Sequence, residues 1–179
     1  MLQNTPVLAE AFSGARTVVR GTLNSLPNTV FRIQFFASPS CDPSGTGEGQ
    51  VYLGDKIVTT DGGCSIGFSA QLPVPVPVGN VIIATATDPA NNTSEFSACM
   101  TVVPLPPTPP LTITGGAGND TVSLKWTNSA TGFVLKETGS LSPPIQWTTV
   151  TNTPVVANGQ FVVSLVRQPG NRYYMLSFE

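Results

Sequence analysis

Histidine is missing from this sequence of 179 residues, and only 10% of the residues are charged. Histidine is the most common general base near neutral pH and the most common zinc ligand, so its absence excludes Ser-His-Asp, Cys-His and histidine-rich metal chemistry. The charged fraction is well below the roughly 25% of an average soluble domain, so hydroxyl and amide groups must keep the chain in solution. This composition is common in secreted β-proteins, and we expect no enzyme within these residues.

Net charge and hydropathy exclude two further classes. Eight Lys and Arg residues against ten Asp and Glu give a net charge of −2, so no basic field would collect phosphates and no nucleic-acid partner is expected. The longest apolar stretch is interrupted by Pro73, Pro75, Pro77 and Gly79, so it falls short of the ~20 residues that span a bilayer. Residues 1–10 lack the basic start and apolar run of a signal peptide, so we expect any export signal upstream, in a longer parent.

Short runs rich in Val, Ile, Thr and aromatic residues recur between clusters of Gly, Pro, Asn and Asp. This pattern is typical of a β-sandwich or barrel. Turn-forming residues at 24–28, 61–63 and 88–92 predict hairpins between successive runs. The first part of the chain has these runs: 6–11, 17–23, 29–37, 51–60, 64–72, 81–87 and 93–103. We therefore predict an all-β chain whose first module, residues 1–103, is a β-sandwich.

A proline-rich stretch, residues 104–110, follows this module and carries five prolines. Proline cannot donate to a β ladder, so the stretch is predicted to be an extended, stiff polyproline linker. Beyond it, alternation at Val122, Leu124 and Trp126 turns one strand face inward. Shorter runs there occur at 111–114, 121–126, 132–138, 145–150, 160–166 and 172–178. We predict a second, reduced β-sandwich over residues 111–179.

Three cysteines, Cys41, Cys64 and Cys99, are widely spaced, which argues against a thiolate metal site. Each hairpin reverses the chain, so successive loops alternate between the two ends of the sandwich. Cys41 follows the third run at the far end, and Cys99 lies past the middle of the last run, which heads to the same end. Cys64 opens the fifth run at the near end, on the order of 20 Å from Cys41. We predict a Cys41–Cys99 disulfide and an unpaired Cys64.

The acidic residues offer candidate calcium ligands, and the same reasoning divides them. Asp42 and Glu48 share the far-end loop, whereas Asp61 and Asp88 lie at the near end. Calcium takes six to eight oxygen ligands, so neither pair completes a site without carbonyls and water. Asp-Gly and Asp-Pro are also ordinary turn starters. These four carboxylates are therefore either weak calcium ligands or turn residues, and no other cofactor is expected.

The aromatic residues of the second module suggest a flat platform for sugar rings. Trp126 alternates with apolar neighbours and is assigned to the core. Tyr173 and Tyr174 are adjacent, so one of them must point outward if both lie in a strand. Trp147 is not assigned to either face. Trp147, Tyr173 and Tyr174 are the candidate ligand contacts.

Part of the chain resembles a repeat of large secreted bacterial surface proteins. The residues that carry the resemblance are FFASPSCDPSGTGEGQ at 35–50, LG at 53–54 and ATATDPANNTSEFS at 84–97, with NTPVL at 4–8 at the junction. The stretch 84–97 is also similar to the last hairpin of bacterial immunoglobulin-like adhesin domains. The resemblance covers nearly all of residues 4–103.

The second module resembles a fibronectin type III-like module found at the ends of such proteins. LKW at 124–126, GFVLKET at 132–138, RYYML at 172–176 and Trp147 carry this resemblance. Together the two resemblances imply an immunoglobulin-like sandwich followed by a fibronectin type III-like sandwich, export, and no catalytic residues.

Function is expected to follow from this architecture. We expect a structural spacer or adhesive module of a larger secreted or cell-surface bacterial protein. Its partners would be neighbouring repeats of the parent and a protein or carbohydrate ligand at the cell surface. The alternative is a carbohydrate-binding accessory module of a secreted hydrolase. The parent sequence before residue 4 would separate the two, because further repeats favour the spacer and a hydrolase domain favours the accessory module.

Overall fold

The computed structural model describes residues 3–43, 45, 48–115 and 120–179. Throughout these residues the regular structure is β, with fifteen strands in four sheets and no helix. Ser44, Thr46 and Gly47 of the repeat-like stretch lie outside the described residues. The predicted all-β class is confirmed. In the described part of the chain, nothing helical is long and apolar enough to cross a membrane.

The chain divides into two compact units, Met1–Leu105 (unit 1) and Pro106–Glu179 (unit 2). In unit 1, one sheet has the order β5-β2-β1-β8 and the other the order β4-β3-β6-β7. The first six predicted runs are confirmed to within two residues. The strands of unit 1 are β1 Val7–Ser13, β2 Thr17–Asn24, β3 Val30–Ser38, β4 Val51–Thr59, β5 Ser65–Leu72, β6 Val81–Thr87, β7 Met100–Thr101 and β8 Val103–Pro104.

The core of unit 1 follows from alternation along the strands. Phe31, Ile33 and Phe35 occupy every second position of β3, and all three are fully buried. Side chains at i, i+2 and i+4 of a strand share one face, so these three point towards the other sheet. From that sheet Phe68 meets Phe35 edge-on, with ring centroids 6.0 Å apart.

The seventh predicted run, residues 93–103, is wrong in extent, because only β7, β8 and single bridge residues at Thr93 and Ala98 pair as strands among the described residues. Hydrogen bonds from β6 to two buried serines replace the backbone ladder that a regular strand would form. Ala86 N donates to Ser94 Oγ and Ala84 N donates to Ser97 Oγ, each over 3.0 Å. The backbone N–H groups of the two serines return hydrogen bonds to the carbonyls of the same alanines. Since these polar groups of β6 are satisfied, the chain needs no regular strand beside it.

The first and last strands of unit 1 lie side by side and run in parallel. Phe12 is opposite Val103, and Ser13 is opposite Pro104. Leu105 N then donates to Ser13 O over 2.8 Å. The start of the predicted linker is therefore attached to β1. The chain enters unit 1 at the starting end of β1 and leaves at the opposite end.

Unit 2 also contains two antiparallel sheets, with the orders β13-β14-β10-β9 and β12-β11-β15. Strand β13 was not predicted. It forms a hairpin with β14 through Asn158 and Gly159, whose φ values of 48° and 72° suit a tight turn. The strands are β9 Thr112–Thr114, β10 Thr121–Thr127, β11 Phe133–Thr138, β12 Thr148–Thr149, β13 Val155–Ala157, β14 Gln160–Val166 and β15 Tyr173–Phe178.

Aromatic pairs form the centre of unit 2. Trp126 is only 1% exposed and packs on Phe161, with ring centroids 5.6 Å apart. Phe133 and Phe178, opposite each other on β11 and β15, meet edge-on at 5.1 Å. The assignment of Trp126 to the core is confirmed.

Candidate functional site

A disulfide joins Cys41 to Cys99 and spans 58 residues, with the two Cα atoms 6.0 Å apart. Cys41 follows β3 and Cys99 precedes β7, so both lie at the far end of unit 1. Beside the bond, Cys99 N donates to Gly45 O over 3.2 Å. The disulfide therefore holds the loop after β3 against the segment that connects β6 to β7. The predicted pairing is confirmed.

The remaining cysteine, Cys64, carries a free, half-buried thiol in the turn between β4 and β5. Its carbonyl accepts a hydrogen bond from Ser25 N over 2.9 Å, which places it at the end of unit 1 opposite the disulfide. The prediction that Cys64 is unpaired is confirmed. Its φ of 68° lies in the left-handed region, which a residue with a Cβ rarely adopts.

Two of the candidate calcium ligands share one shallow cavity. Asp42 and Glu48 line a space of about 170 Å³ beside the disulfide, together with Ser38, Ser40 and Gln50. Both carboxylates lie on exposed residues. The cavity is smaller than the 300–1,000 Å³ usual for a small-molecule site.

The other two carboxylates accept hydrogen bonds within turns. Asp88 Oδ1 accepts from the N–H groups of Ala90 and Asn92 at 2.8 and 2.9 Å, and its Oδ2 accepts from the Asn92 amide at 2.8 Å. The Asn92 amide is the main reason that the pKa of Asp88 lies below its ordinary value. Asp61 Oδ1 accepts from Ser65 N over 2.9 Å. Within the described ranges, no three His, Cys, Asp or Glu side chains could together hold a metal ion, and weak calcium binding stays an untested alternative to the turn role.

The three aromatic ligand candidates do not gather at one site. Tyr173 and Tyr174 begin β15, whereas Trp147 lies immediately before β12. Strand β11 lies between β12 and β15, which separates those two strands by about 9.5 Å. All three side chains are half-buried. The structure places the two tyrosines in a common cavity that Trp147 does not line.

That cavity has a volume of about 370 Å³ and lies beside the connection between β14 and β15. We call it the arginine–tyrosine cavity. Ile113 and Val122 form its apolar side. Its polar lining consists of Arg167, Gln168, Asn171, Arg172, Tyr173 and Tyr174. Guanidinium, amide and phenol groups therefore converge on one open concavity.

A second cavity of about 270 Å³ adjoins the first, because Gln168 and Tyr174 line both. Glu137 and Asn152 provide its other polar groups. Burial, and after it the charge of Glu137, raises the pKa of Tyr174, while the charge of Arg172 opposes the rise. Tyr174 therefore stands between a carboxylate on one side and a guanidinium on the other.

Reasoning from the sequence identified the two tyrosines but missed the four residues that precede them in this cavity: Arg167, Gln168, Asn171 and Arg172. A signal was present. Two of the chain's eight Lys and Arg residues flank the segment QPGN, directly before the tyrosines. In a chain so poor in charge, two arginines around one turn indicate a local basic site.

Neither a scan against protein-family models nor a search of the curated proteins finds a match to the chain.

Proposed function

We propose that the chain is a non-catalytic spacer or adhesive module of a larger bacterial protein that is secreted or held at the cell surface. In this proposal residues 1–103 are an immunoglobulin-like sandwich and residues 111–179 a reduced fibronectin type III-like sandwich. The proline-rich residues 104–110 join them. The neighbouring partners are further repeats of the parent protein.

The parallel pairing of β1 and β8 is the observation that carries this proposal. Gln3 and Asn4 are bonded to Ser25 and Asn24 at one end of unit 1. Leu105 is bonded to Ser13, at the other end of β1. The seven residues of β1 separate these ends by about 20 Å. A module that the chain enters at one end and leaves at the other can be joined in series without doubling back.

The disulfide supports export, because cystine persists in oxidising compartments and is rare in the cytosol. It closes a loop of 58 residues, which stabilises the folded state chiefly by restricting the unfolded chain. A surface spacer benefits from this, because the bond also limits how far the polypeptide can extend if unit 1 opens.

A non-catalytic role agrees with the side chains available. The sequence has no histidine, and Asp42 and Glu48 line a shallow cavity together with Ser38, Ser40 and Gln50, beside the disulfide. A carboxylate pair that hydrolyses glycosidic bonds works within a substrate cleft. Nothing comparable surrounds these two residues in the described part of unit 1.

The second candidate function is a carbohydrate-binding accessory module of a secreted hydrolase. The arginine–tyrosine cavity of unit 2 is the observation that favours it. A ligand site in unit 2 serves an adhesive module equally well. The two candidates therefore differ in what the parent protein carries, and an adhesive module and an accessory module can use the same site.

Single-molecule stretching tests the spacer role in the full, oxidised chain. In one arrangement the handles are attached before Gln3 and directly after Leu105, so that the load runs along β1 and β8 and their hydrogen bonds share it. In the control arrangement the second handle is attached at Gly62, an exposed turn residue at the same end as Gln3. We expect a clearly higher unfolding force in the first arrangement. Equal or lower force there would contradict a spacer loaded along its length.

A further inference from the structure

Two arginines in unit 2 line the arginine–tyrosine cavity with their positive charges. Arg167 and Arg172 flank the β14–β15 connection and are both exposed. Neither guanidinium has a hydrogen bond or an ion pair to any residue in the described part of the chain. Elsewhere Arg20, Arg32 and Lys136 each face a carboxylate. The arginine–tyrosine cavity is therefore a local positive site in a chain of net charge −2.

Guanidinium groups recognise oxyanions through a rigid fork of N–H donors, and the match to a planar carboxylate is bidentate. Arg167 and Arg172 line the same cavity, so a carboxylate that enters it can bind to their guanidinium groups. This chemistry defines the charged part of the ligand.

The other lining groups suit a sugar ring. Tyr173 and Tyr174 are half-buried, so part of each ring remains available as an apolar face with a polar tip. Gln168 and Asn171 each carry an amide that donates and accepts, which is what neighbouring sugar hydroxyls require. A bare oxyanion would make no use of the aromatic rings or of the amide oxygens.

The adjoining cavity restricts which sugar chain fits. It shares Gln168 and Tyr174 with the first cavity but carries Glu137. The negative charge of Glu137 would repel a second carboxylate in this cavity. The sugar next to the acidic one is therefore expected to be neutral, with hydroxyls that bond to Glu137 and Asn152. The two cavities, of about 370 and 270 Å³, can each take one sugar residue.

We propose that unit 2 binds an acidic polysaccharide in which a carboxylate-bearing sugar alternates with a neutral one, the acidic residue lying in the arginine–tyrosine cavity. This proposal deepens the adhesive part of the proposed function and rests on it. The spacer part depends on unit 1 and is tested separately by stretching.

The test is an NMR titration of the full ¹⁵N-labelled chain at low ionic strength. The probe is a hyaluronan hexasaccharide, which alternates a uronic acid with a neutral amino sugar. A chitin hexasaccharide of the same length, without carboxylates, and inorganic phosphate are the comparison ligands. We expect hyaluronan to shift the amides of residues 167–174 most, and chitin and phosphate to bind at least about tenfold more weakly, because charge-assisted bonds and ring contacts both contribute.

Two variants test whether the arginine side chains bind the carboxylate of the ligand. Arg167→Gln and Arg172→Gln should each weaken hyaluronan binding about tenfold or more. Lys125→Gln, the same charge change on the outer face of β10, should leave it unchanged. Lys125 is the matched control because Leu124 and Trp126 on either side of it are buried. Thermal melts check that each variant is folded.

Four results would overturn the proposal. They are hyaluronan binding that shifts residues away from 167–174, equal affinity for chitin, equal affinity for inorganic phosphate, and no hyaluronan binding at all. Any of these leaves the stretching result for unit 1 untouched. Loss of the force difference with retained hyaluronan binding would instead remove the spacer and keep the ligand site.

Discussion

Unit 1 and unit 2 are both built from two sheets, yet they bury very different amounts of apolar surface. Among the described residues, unit 1 has about three times as many buried apolar side chains as unit 2. Unit 1 also contains the disulfide, whereas no cystine is present in unit 2, which has no cysteine. The buried apolar residues of unit 2 are Leu124, Trp126, Phe133, Leu135, Val163, Leu176 and Phe178.

The difference agrees with the proposal that unit 1 provides support and unit 2 binds a ligand. In unit 1 strand pairing fixes the first and last strands, and the disulfide joins the two longest loops, residues 39–50 and 88–99. In unit 2 the connection between β14 and β15 is exposed and carries two arginines whose guanidinium groups form no ion pair with any described residue. Binding regions are usually drawn from the less stable parts of a protein. We therefore expect unit 1 to unfold at a higher denaturant concentration than unit 2.

Removing the disulfide should have the largest effect and should reverse this order. The double variant Cys41→Ser, Cys99→Ser releases a loop of 58 residues. The chain-entropy estimate for that length is about 4 kcal/mol of lost stability. The measurement is urea unfolding followed by circular dichroism, which reports on the strands of both units.

Tryptophan fluorescence supplies the control, because both tryptophans, Trp126 and Trp147, lie in unit 2. The fluorescence transition should not move in the double variant, while the circular dichroism transition of unit 1 moves to lower urea. A parallel shift of both signals would show that the units unfold together, and the comparison between them would not hold.

A smaller loss of stability is expected when buried threonines are replaced. Thr17 and Thr138 both use their hydroxyls in hydrogen bonds, but their partners lie at different distances along the sequence. Thr17 Oγ1 donates to Val74 O and accepts from Val76 N, at 2.8 and 2.9 Å, and so holds a segment more than fifty residues away. The hydroxyl of Thr138 in unit 2 bonds to the backbone of Ser140, two residues on. Thr17→Val leaves the buried Val76 N–H without a partner, which should cost about 1–3 kcal/mol. Thr138→Val should cost less than about 1 kcal/mol, because its partner can turn to water.

Thr22→Val is the matched control for Thr17→Val, since Thr22 lies on the same strand but is exposed. Its urea midpoint should stay within about 0.5 kcal/mol of the parent protein. If Thr17→Val were as mild as Thr22→Val, the proline-rich segment 73–78 would not depend on the Thr17 hydroxyl for its position.

Features that depend on strand direction could be predicted from the sequence. Alternating apolar residues located the first six strands, and the reversal at each turn placed Cys41 and Cys99 at one end and Cys64 at the other. A covalent bond over 58 residues was predictable because it depends on topology and hardly on side-chain detail.

Features that depend on individual side chains were not predicted. Ser94 and Ser97 carry hydrogen bonds that a strand would otherwise make, and a run of small polar residues does not reveal which hydroxyls turn inward. Asn158-Gly159, in contrast, is a strong hairpin signal that was overlooked. The arginine–tyrosine cavity combines residues of β9, β10 and β15 with a loop, and single-strand patterns do not predict such combinations.

The smallest expected effect is a change of stability with pH, which should occur in acid for unit 1 and in alkali for unit 2. Asp88 of unit 1 has a pKa below its ordinary value of 3.8, because Asn92 and backbone N–H groups bond to the carboxylate. A lowered pKa in the folded state stabilises the fold above the ordinary pKa, and this contribution is lost as the pH falls through the folded value. The urea midpoint of unit 1, followed by circular dichroism, should therefore exceed that of Asp88→Asn near pH 7 and converge with it in acid. A constant difference at all pH values would mean that the carboxylate charge has no part in this turn.

The contribution of Tyr174 to the stability of unit 2 should have the opposite pH dependence, with stability lost at high pH. Burial and Glu137 raise its pKa above the ordinary 10.0, so the folded state favours the neutral phenol. The stability that this provides is fully present below the ordinary pKa and is lost as the pH rises through the folded value. The fluorescence midpoint of unit 2 should therefore fall more steeply above about pH 10 in the parent protein than in Tyr174→Phe, which cannot ionise.

Each variant is the control for the other, because Tyr174→Phe should leave the acid behaviour of unit 1 unchanged and Asp88→Asn the alkaline behaviour of unit 2. Equal slopes for Tyr174→Phe and the parent protein above that pH would show that the phenol is not held in its neutral form, and that the boundary between the two cavities is more open to water than its burial indicates.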